Sequence, residues 1–304
     1  ELIRAWALQH PNVEIEWIPI PPGEHENWQR AQFLAGTPPD MIFGWTDRLA
    51  PEPMQEKWII PYDDYLKQKN PYSPNATWYE DFSYPDITLW RWSEDQKVYG
   101  VVGAKEGTIG VTAFVYNADV LKAAGVDVEK EIPPKSLGEF FSILERVQKS
   151  GKVGFWHPWA GDTGWMVEWP LRFIVEQLLD KEIAELDAAI DDNDDEFGST
   201  SQMEVVYGAL TGTYDYRDPR WGEAFKIMKR WSTYFQPGWA NAFELVGELP
   251  AEFLRGNVGV TYIGTWMLPT LDNYPGLNFK WGTFFFPPIT KQDTPLATGA
   301  PVRN

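Results

Sequence analysis

Hydrophobic and polar positions recur along this chain with two different periods, which together predict a mixed α/β fold. Apolar residues alternate with glutamates over residues 13–18, a pattern typical of a strand. Residues 27–35 have the apolar spacing of a helix, and Gly36 with the prolines that follow brings it to an end. Residues 40–43 are a short apolar run that predicts a buried strand. A helix, a glycine–proline break and an apolar strand form the repeating unit of α/β folds.

The same reasoning predicts further elements along the rest of the chain. Residues 98–102, 111–116 and 258–262 have the pattern of strands. The clearest helix starts are, in chain order, a cap at Asn117, a capping box of Ser136 and Glu139, a first-turn proline at Pro170 and the pair Asp218 and Pro219. Helical spacing over residues 2–7 predicts that the native chain starts earlier than Glu1.

Composition limits the classes of function that fit. A chain of 304 residues predicts about two domains. Its net charge of −18 argues against a nucleic-acid partner, since phosphate binding needs basic patches, and against docking on an anionic membrane. No apolar run reaches the roughly 18–20 residues of a membrane helix. The acidic stretch 187–196 lacks the glycine of a calcium loop and predicts a solvated loop.

Cysteine and histidine usage narrows the chemistry further. The chain has no cysteine, which excludes disulfides, thiolate metal sites and cysteine nucleophiles. Three histidines without His-x-x-x-His spacing argue against zinc. No Gly-x-Ser-x-Gly elbow, phosphate loop or Gly-x-Gly-x-x-Gly fingerprint is present. We therefore expect no catalytic residue, no cofactor and no metal.

Tryptophan is the unusual feature of the composition. The chain contains 17 tryptophans. Some of them belong to the core, but tryptophan is large and is rarely fully buried. A surplus of this size predicts that several line a ligand site.

Four segments, in order, carry a resemblance to one family. They are residues 11–16 (PNVEIE), 36–43 (GTPPDMIF) with Asp47 and Arg48, 115–121 (VYNADVL) with the capping-box helix after it, and 253–260 (FLRGNVGV) continuing through Gly264, Thr265 and Trp266. With these segments the chain resembles the extracellular solute-binding proteins that feed sugars to ABC importers, the group containing maltose-binding protein.

The resemblance implies a two-lobed periplasmic-binding-protein-like α/β fold with a hinge and a ligand cleft between the lobes. Lobe one would be residues 1–111 plus 284–304, and lobe two residues 112–283. It implies an oligosaccharide ligand, a membrane permease as partner, and an extracytoplasmic location, in the periplasm or at the cell surface as a lipoprotein. We expect a monomer. The family continues well beyond the point matched by Asn304, so we expect a longer native protein.

The resemblance also implies ligand contacts. A sugar ring needs flat aromatic surfaces for its C–H faces and planar polar groups for its hydroxyls. The family's Asp-Arg pair that contacts hydroxyls matches Asp47 and Arg48, and its stacking aromatic matches Trp266. Trp45 lies in the same turn as the pair, and Glu106 would replace a family glutamate whose position matches Gly110.

Three further tryptophans are candidate contacts. Residues 156–169 match a family stretch that supplies aromatic and acidic contacts, but Gly164 and Trp165 depart from its pattern. We therefore choose Trp159 and Trp165 there and assign Trp156 and Trp169 to the core. Trp239 follows the break at Pro237 and Gly238 and is also a candidate.

Two rival functions remain open. A glycoside hydrolase would need two carboxylates at a set separation, and the abundance of acidic residues neither supports nor excludes such a pair. A binder of a non-sugar solute, such as a peptide or a polyamine, would also use aromatic and acidic residues. Arg48 disfavours a cationic ligand.

Overall fold

In the computed structural model, the chain folds into two compact units. The first comprises Glu1–Leu66 and Leu89–Gly100, and the second comprises Lys67–Thr88 and Val101–Asn304. The structure describes residues 2–20, 24–42, 55–82, 91–92, 95–101, 112–157, 164–187, 202–241 and 249–300.

In the first unit the predicted helices are confirmed. The described helices are α1 (Leu2–Gln9), α2 (His25–Ala35) and the single turn α3 (Asp63–Leu66). Helix α2 ends where the sequence predicts, because Gly36 takes the left-handed conformation (φ 70°) that glycine adopts without strain. Near α3, the backbone N–H of Val98 donates to the carboxylate of Asp63 at 3.0 Å.

The strands predicted in the first unit are not confirmed. Residues 13–18 and the described residues 40–42 form neither helix nor strand, and Val98 makes only an isolated bridge with Arg91. Alternation of apolar and polar residues reports which side chains share a face. A strand also needs a neighbouring chain for its backbone hydrogen bonds, and that pairing is non-local.

The second unit contains a four-stranded mixed sheet. Its strands are β1 (Thr112–Asn117), β2 (Val153–Trp156), β3 (Val258–Gly264) and β4 (Trp281–Phe284). The order across the sheet is β2-β3-β1-β4, with β1 antiparallel to both β3 and β4 and β2 parallel to β3. The strands predicted over residues 111–116 and 258–262 are thereby confirmed as β1 and β3.

An aromatic core lies against this sheet. Phe114 on β1 is fully buried, and its ring is within 6.1 Å, centroid to centroid, of seven other aromatic rings. These rings belong to Phe140, Phe155, Phe173, Trp231, Tyr262, Phe284 and Phe286. Because aromatic side chains bury 150–250 Å² each, roughly, this cluster supplies much of the apolar burial of the unit.

Helices surround the sheet. Those of the second unit in the described residues are α4 (Ala118–Ala123), α5 (Val128–Glu131), α6 (Leu137–Lys149), α7 (Gly164–Leu178), α8 (Asp180–Asp187), α9 (Gln202–Thr211), α10 (Pro219–Ser232), α11 (Ala251–Leu254) and α12 (Leu268–Asp272). Single 3-10 turns are present at Tyr79–Asp81, Trp239–Asn241 and Thr265–Met267.

Most of the predicted helix starts are confirmed. The side-chain oxygen of Asn117 accepts from the backbone N–H groups of Asp119 and Val120, each at 3.0 Å. The hydroxyl of Ser136 accepts from the N–H of Glu139 at 3.1 Å, which is half of the predicted capping box. The carboxylate of Glu139 accepts from the backbone N–H of Lys135 rather than from that of Ser136. The capping box is therefore offset by one residue. Asp218 caps α10.

The start predicted at Pro170 is wrong. Helix α7 begins at Gly164, and Pro170 lies in its interior. Proline lacks an N–H group, so the carbonyl of Met166, four residues earlier, loses its helical donor at that point. Packing of α7 against α10 and the aromatic core holds the helix together across this position.

The lobe boundaries predicted from the resemblance stay a prediction. Among the described residues, the segment after β4 packs with the second unit. Phe284, Phe286, Ile289 and Ala297 are buried in the same core as Phe114. Among the helices of the described residues, none is long and apolar enough to cross a membrane.

Candidate functional site

Aromatic side chains gather where β2 and β3 end. The two strands are parallel, with Trp156 opposite Thr261, so their carboxyl ends lie at the same edge of the sheet. In open α/β sheets, ligands bind beyond the carboxyl ends of strands. The short 3-10 turn Thr265–Met267 follows β3, and His157 follows β2.

Trp266 is the exposed member of this group. Its indole lies directly against the backbone of Gly264, where an added Cβ atom would be 2.2 Å from ring atoms Cη2 and Cζ2. Trp169 on α7 packs edge to face against the Trp266 ring, with centroids 5.9 Å apart and planes at 83°. Trp266 is 47% exposed, although Trp169 and the backbone of Gly264 both pack against its ring.

Tyr262 and Trp169 connect Trp266 to the core. Tyr262 is fully buried on β3, and its ring lies 6.4 Å from that of Trp169. Burial raises the pKa of the Tyr262 phenol well above its ordinary value, so this group is neutral at physiological pH. Trp169 is half-buried against the aromatic core and also supports the exposed ring of Trp266.

His157, Phe235 and Trp239 form the other end of the aromatic group. The imidazole of His157 stacks on Phe235, with centroids 4.5 Å apart, and meets the Trp239 ring edge to face at 5.7 Å. Burial lowers the pKa of His157 to about 3, because a charged imidazolium would be desolvated here. Trp239 is half-buried and packs at 89° against Phe235.

A buried glutamine joins these residues. Gln236 is 2% exposed. Its side-chain oxygen accepts from the backbone N–H of His157 at 2.8 Å, and its side-chain nitrogen donates to the carbonyl of His157 at 2.6 Å. Its backbone carbonyl accepts from the N–H of Trp239 at 3.2 Å. Gln236 thus bonds to His157 through its side chain and to Trp239 through its backbone.

The chemistry of this arrangement is that of a neutral aromatic surface. His157, Tyr262 and Gln236 carry no charge at neutral pH, and the three tryptophans offer flat rings and indole N–H groups. Such a surface favours an uncharged ligand with apolar faces. In the described part of the chain, no group of three or more His, Cys, Asp or Glu side chains is placed to hold a metal ion.

Only some of the predicted ligand contacts lie among the described residues. Trp266 and Trp239 both belong to the aromatic group just described, one at each end. The backbone of Trp165 lies in the first turn of α7. The other predicted contacts lie outside the described residues and stay predictions: Trp45, Asp47, Arg48, Glu106 and Trp159.

Sequence reasoning missed His157 and Gln236, and it assigned Trp169 to the core alone. Pro237 and Gly238 do signal that the chain turns directly after Gln236. Nothing in the local pattern shows that the partner of Gln236 is His157, because that residue lies 79 positions earlier.

Solved structures of binding proteins share this fold. The chain matches a chitin oligosaccharide binding protein with a TM-score of 0.63 at 19% identity, over 95% of this chain and 62% of that one. It matches a mannotriose-bound protein at 0.60 and 20% identity, over 94% and 64%. It matches an ABC substrate-binding protein from Listeria monocytogenes, in complex with cycloalternan, at 0.58 and 16% identity, over 95% and 63%.

These matches confirm the predicted α/β fold class, that of the two-lobed solute-binding proteins. The chain spans 62–64% of the length of these three solved structures. No curated protein sequence matches it significantly. The model of the bacterial extracellular solute-binding proteins matches residues 1–302. The chain belongs to this family, as its resemblance in sequence predicted.

Proposed function

We propose that this protein captures an oligosaccharide outside the cytoplasm and delivers it to the membrane permease of an ABC importer. The observation that carries the proposal is Trp266. In a chain of the solute-binding family, a half-exposed indole is fixed by Trp169 and by the backbone of Gly264 at the carboxyl end of β3. A rigid aromatic face of this kind suits the apolar C–H face of a sugar ring.

The uncharged side chains in the described part of the site favour a sugar over a cation. A polyamine would need carboxylates around it to offset its charge. The described residues of the site are instead three tryptophans, a phenylalanine, a tyrosine, a glutamine and a neutral histidine. The solved proteins that share the fold include binders of chitin oligosaccharide, mannotriose and raffinose. An uncharged oligosaccharide therefore fits best.

The remaining ligand contacts in this proposal come from the resemblance. Asp47 and Arg48 would bond to sugar hydroxyls, and Trp45, Glu106, Trp159 and Trp165 would complete the site together with Trp239 and Trp266. The protein would work as a monomer, with two lobes divided as predicted. It would release its sugar unaltered, since the family is one of binding proteins.

Thermal denaturation in the presence of a sugar panel tests this function. The panel should contain a chitin oligosaccharide, raffinose, mannotriose, monosaccharides and a polyamine. A ligand at 100 times its dissociation constant adds about 2.7 kcal/mol to the free energy of unfolding, which raises the melting temperature measurably. We expect an oligosaccharide to give the largest shift and the polyamine none.

Chromatography of the sugar after long incubation separates a binder from a hydrolase. The proposal expects the sugar to be recovered intact. A shortened product whose amount grows with protein concentration would show that the protein is a glycoside hydrolase instead. A melting temperature raised by the polyamine alone would favour a binder of a different solute.

A further inference from the structure

The segment after α10 pairs with the outer edge of β2 for only a short distance. The N–H of Phe155 donates to the carbonyl of Tyr234 at 2.9 Å, and Phe155 forms a parallel bridge with Phe235. Pairing cannot continue along this edge, because Pro237 has no N–H group and Gly238 turns the chain with a φ of 73°. His157, two residues beyond Phe155, lies past the end of this backbone pairing.

The side chain of Gln236 bonds to the backbone of His157 at this point. The backbone carbonyl of Gln236 is already used by the N–H of Trp239 in the turn. Its side-chain amide presents one acceptor and one donor, and it bonds to the N–H and the carbonyl of His157 as a strand would. The amide is the right group because only a neutral side chain that both donates and accepts satisfies both backbone groups.

Gln236 links the end of β2 to the turn that carries Trp239. His157 is the residue from which the chain continues to Trp159, a predicted ligand contact, and its ring packs against Trp239. Gln236 is bonded to His157 through its side chain and to Trp239 through its backbone. Loss of the side-chain amide would free the end of β2 while leaving the turn in place.

We propose that Gln236 is a positioning residue of the binding site. It holds the end of β2 and the His157–Trp239 end of the aromatic group in the position that binds the ligand. The proposal rests on the proposed function, since it assigns a role in sugar binding. Gln236 itself touches His157 and the turn, and it acts on the ligand through them.

Gln177 provides a matched control. It is 1% exposed, and its side chain also bonds to the backbone. It donates to the carbonyls of Phe173 at 3.3 Å and Pro287 at 3.2 Å and accepts from the N–H of Ile289 at 2.7 Å. It lies on α7, eight residues beyond Trp169, and is bonded to the segment after β4. Gln236→Leu and Gln177→Leu therefore both remove buried bonds between a side-chain amide and the backbone, in one case at the site and in the other away from it.

The experiment compares the two variants by calorimetric titration with whichever of a chitin oligosaccharide, raffinose or mannotriose binds the native protein tightest. We expect both leucine variants to lose thermal stability. Gln236→Leu should also lose affinity by about tenfold or more, while Gln177→Leu stays within about twofold. Near-ultraviolet circular dichroism of the tryptophans should change more in Gln236→Leu. Equal affinities of the two variants would overturn the proposal.

Gln236→Glu keeps the proposal testable if the leucine variant fails to fold. A carboxylate accepts from the His157 N–H but repels the carbonyl, whereas the protonated acid donates and accepts as the amide does. Burial favours the protonated form, so affinity of this variant should recover between about pH 8 and about pH 5. The neighbouring His157 and Tyr262 stay neutral over this range, so the native protein should bind equally throughout it. A Gln236→Glu affinity that does not change with pH would contradict the role.

Failure of the proposed function would look different. If the native protein binds none of the three sugars, the function fails. The near-ultraviolet circular dichroism of the tryptophans then still tests whether Gln236 positions the aromatic group. A Gln236→Leu spectrum equal to the native one would contradict the proposal.

Discussion

At the scale of single residues, the exposed ring of the site depends on a residue that has no side chain. Gly264 lets the Trp266 indole lie against the backbone, at a distance where no Cβ atom fits. The resemblance in sequence predicted Trp266 as a contact and drew attention to the glycine before it. It did not predict Trp169 as the second support, because a tryptophan at a half-buried helix position resembles any core residue.

Gly264→Ala should displace the Trp266 ring. A methyl group there meets three ring atoms within 2.4 Å, so we expect a loss of stability of about 1–3 kcal/mol, as for other overpacked sites. Sugar affinity should fall with it. Denaturant unfolding and calorimetric titration measure the two effects. Gly222→Ala is the control, since none of the described residues beyond α10 lies within 4 Å of a Cβ atom at that position. It should be neutral or stabilising, and equal effects at both glycines would contradict this account.

His157 should make the protein sensitive to acid. Its pKa is about 3 when folded and near 6.5 when unfolded, so the unfolded chain binds the extra proton between these values. The contribution to stability is complete above about pH 6.5 and decreases as the pH falls towards about 3, by at most about 1.4 kcal/mol per pH unit.

Replacement of this imidazole isolates its effect from that of the carboxylates. His157→Phe keeps an aromatic ring against Phe235 but cannot be protonated. Urea unfolding of both proteins from about pH 7 to about pH 4 should show a steeper loss of stability in the native protein. Parallel curves would show that the imidazole is already protonated in the folded state or exposed to solvent.

At the scale of elements, local signals predicted helices better than strands. Asn117, Ser136 and Asp218 cap helices where the sequence places them, because a cap bonds to residues two or three positions away. Strand β3 was predicted correctly, and residues 13–18 were not a strand, although both alternate. The difference is the partner strand, which the local pattern does not contain. For the same reason the bond between Gln236 and His157 was beyond prediction.

Ser136→Ala should cost about 1 kcal/mol of stability, because it removes the acceptor for the N–H of Glu139 at the start of α6. Ser136→Asp should retain most of the stability, since a carboxylate accepts the same bond and interacts favourably with the helix N-terminus. Denaturant unfolding measures both. No loss in Ser136→Ala would mean that α6 starts independently of this cap, for instance through the bond from the Gly138 N–H to Asp293.

At the scale of the whole molecule, the aromatic residues serve two purposes in one unit. One set, centred on Phe114, fills the core against the sheet, and a second set continues from Tyr262 and Phe155 to the half-exposed Trp239 and Trp266. This continuity gives a physical reason for the tryptophan surplus, since the rings that stabilise the sheet also hold the proposed ligand surface rigid. Composition alone predicted a ligand site among the tryptophans, and only the structure separated the supporting rings from the exposed ones.

Calorimetric titration of Trp266→Ala with the oligosaccharide that binds the native protein tightest tests the central claim most directly. Tyr216→Ala, an exposed aromatic residue of the same unit, is the control. Both variants should remain folded. The account predicts that Trp266→Ala weakens binding by about 1–3 kcal/mol, the magnitude of aromatic stacking on other flat rings, while Tyr216→Ala leaves it unchanged. Native affinity in a folded Trp266→Ala protein would contradict the account.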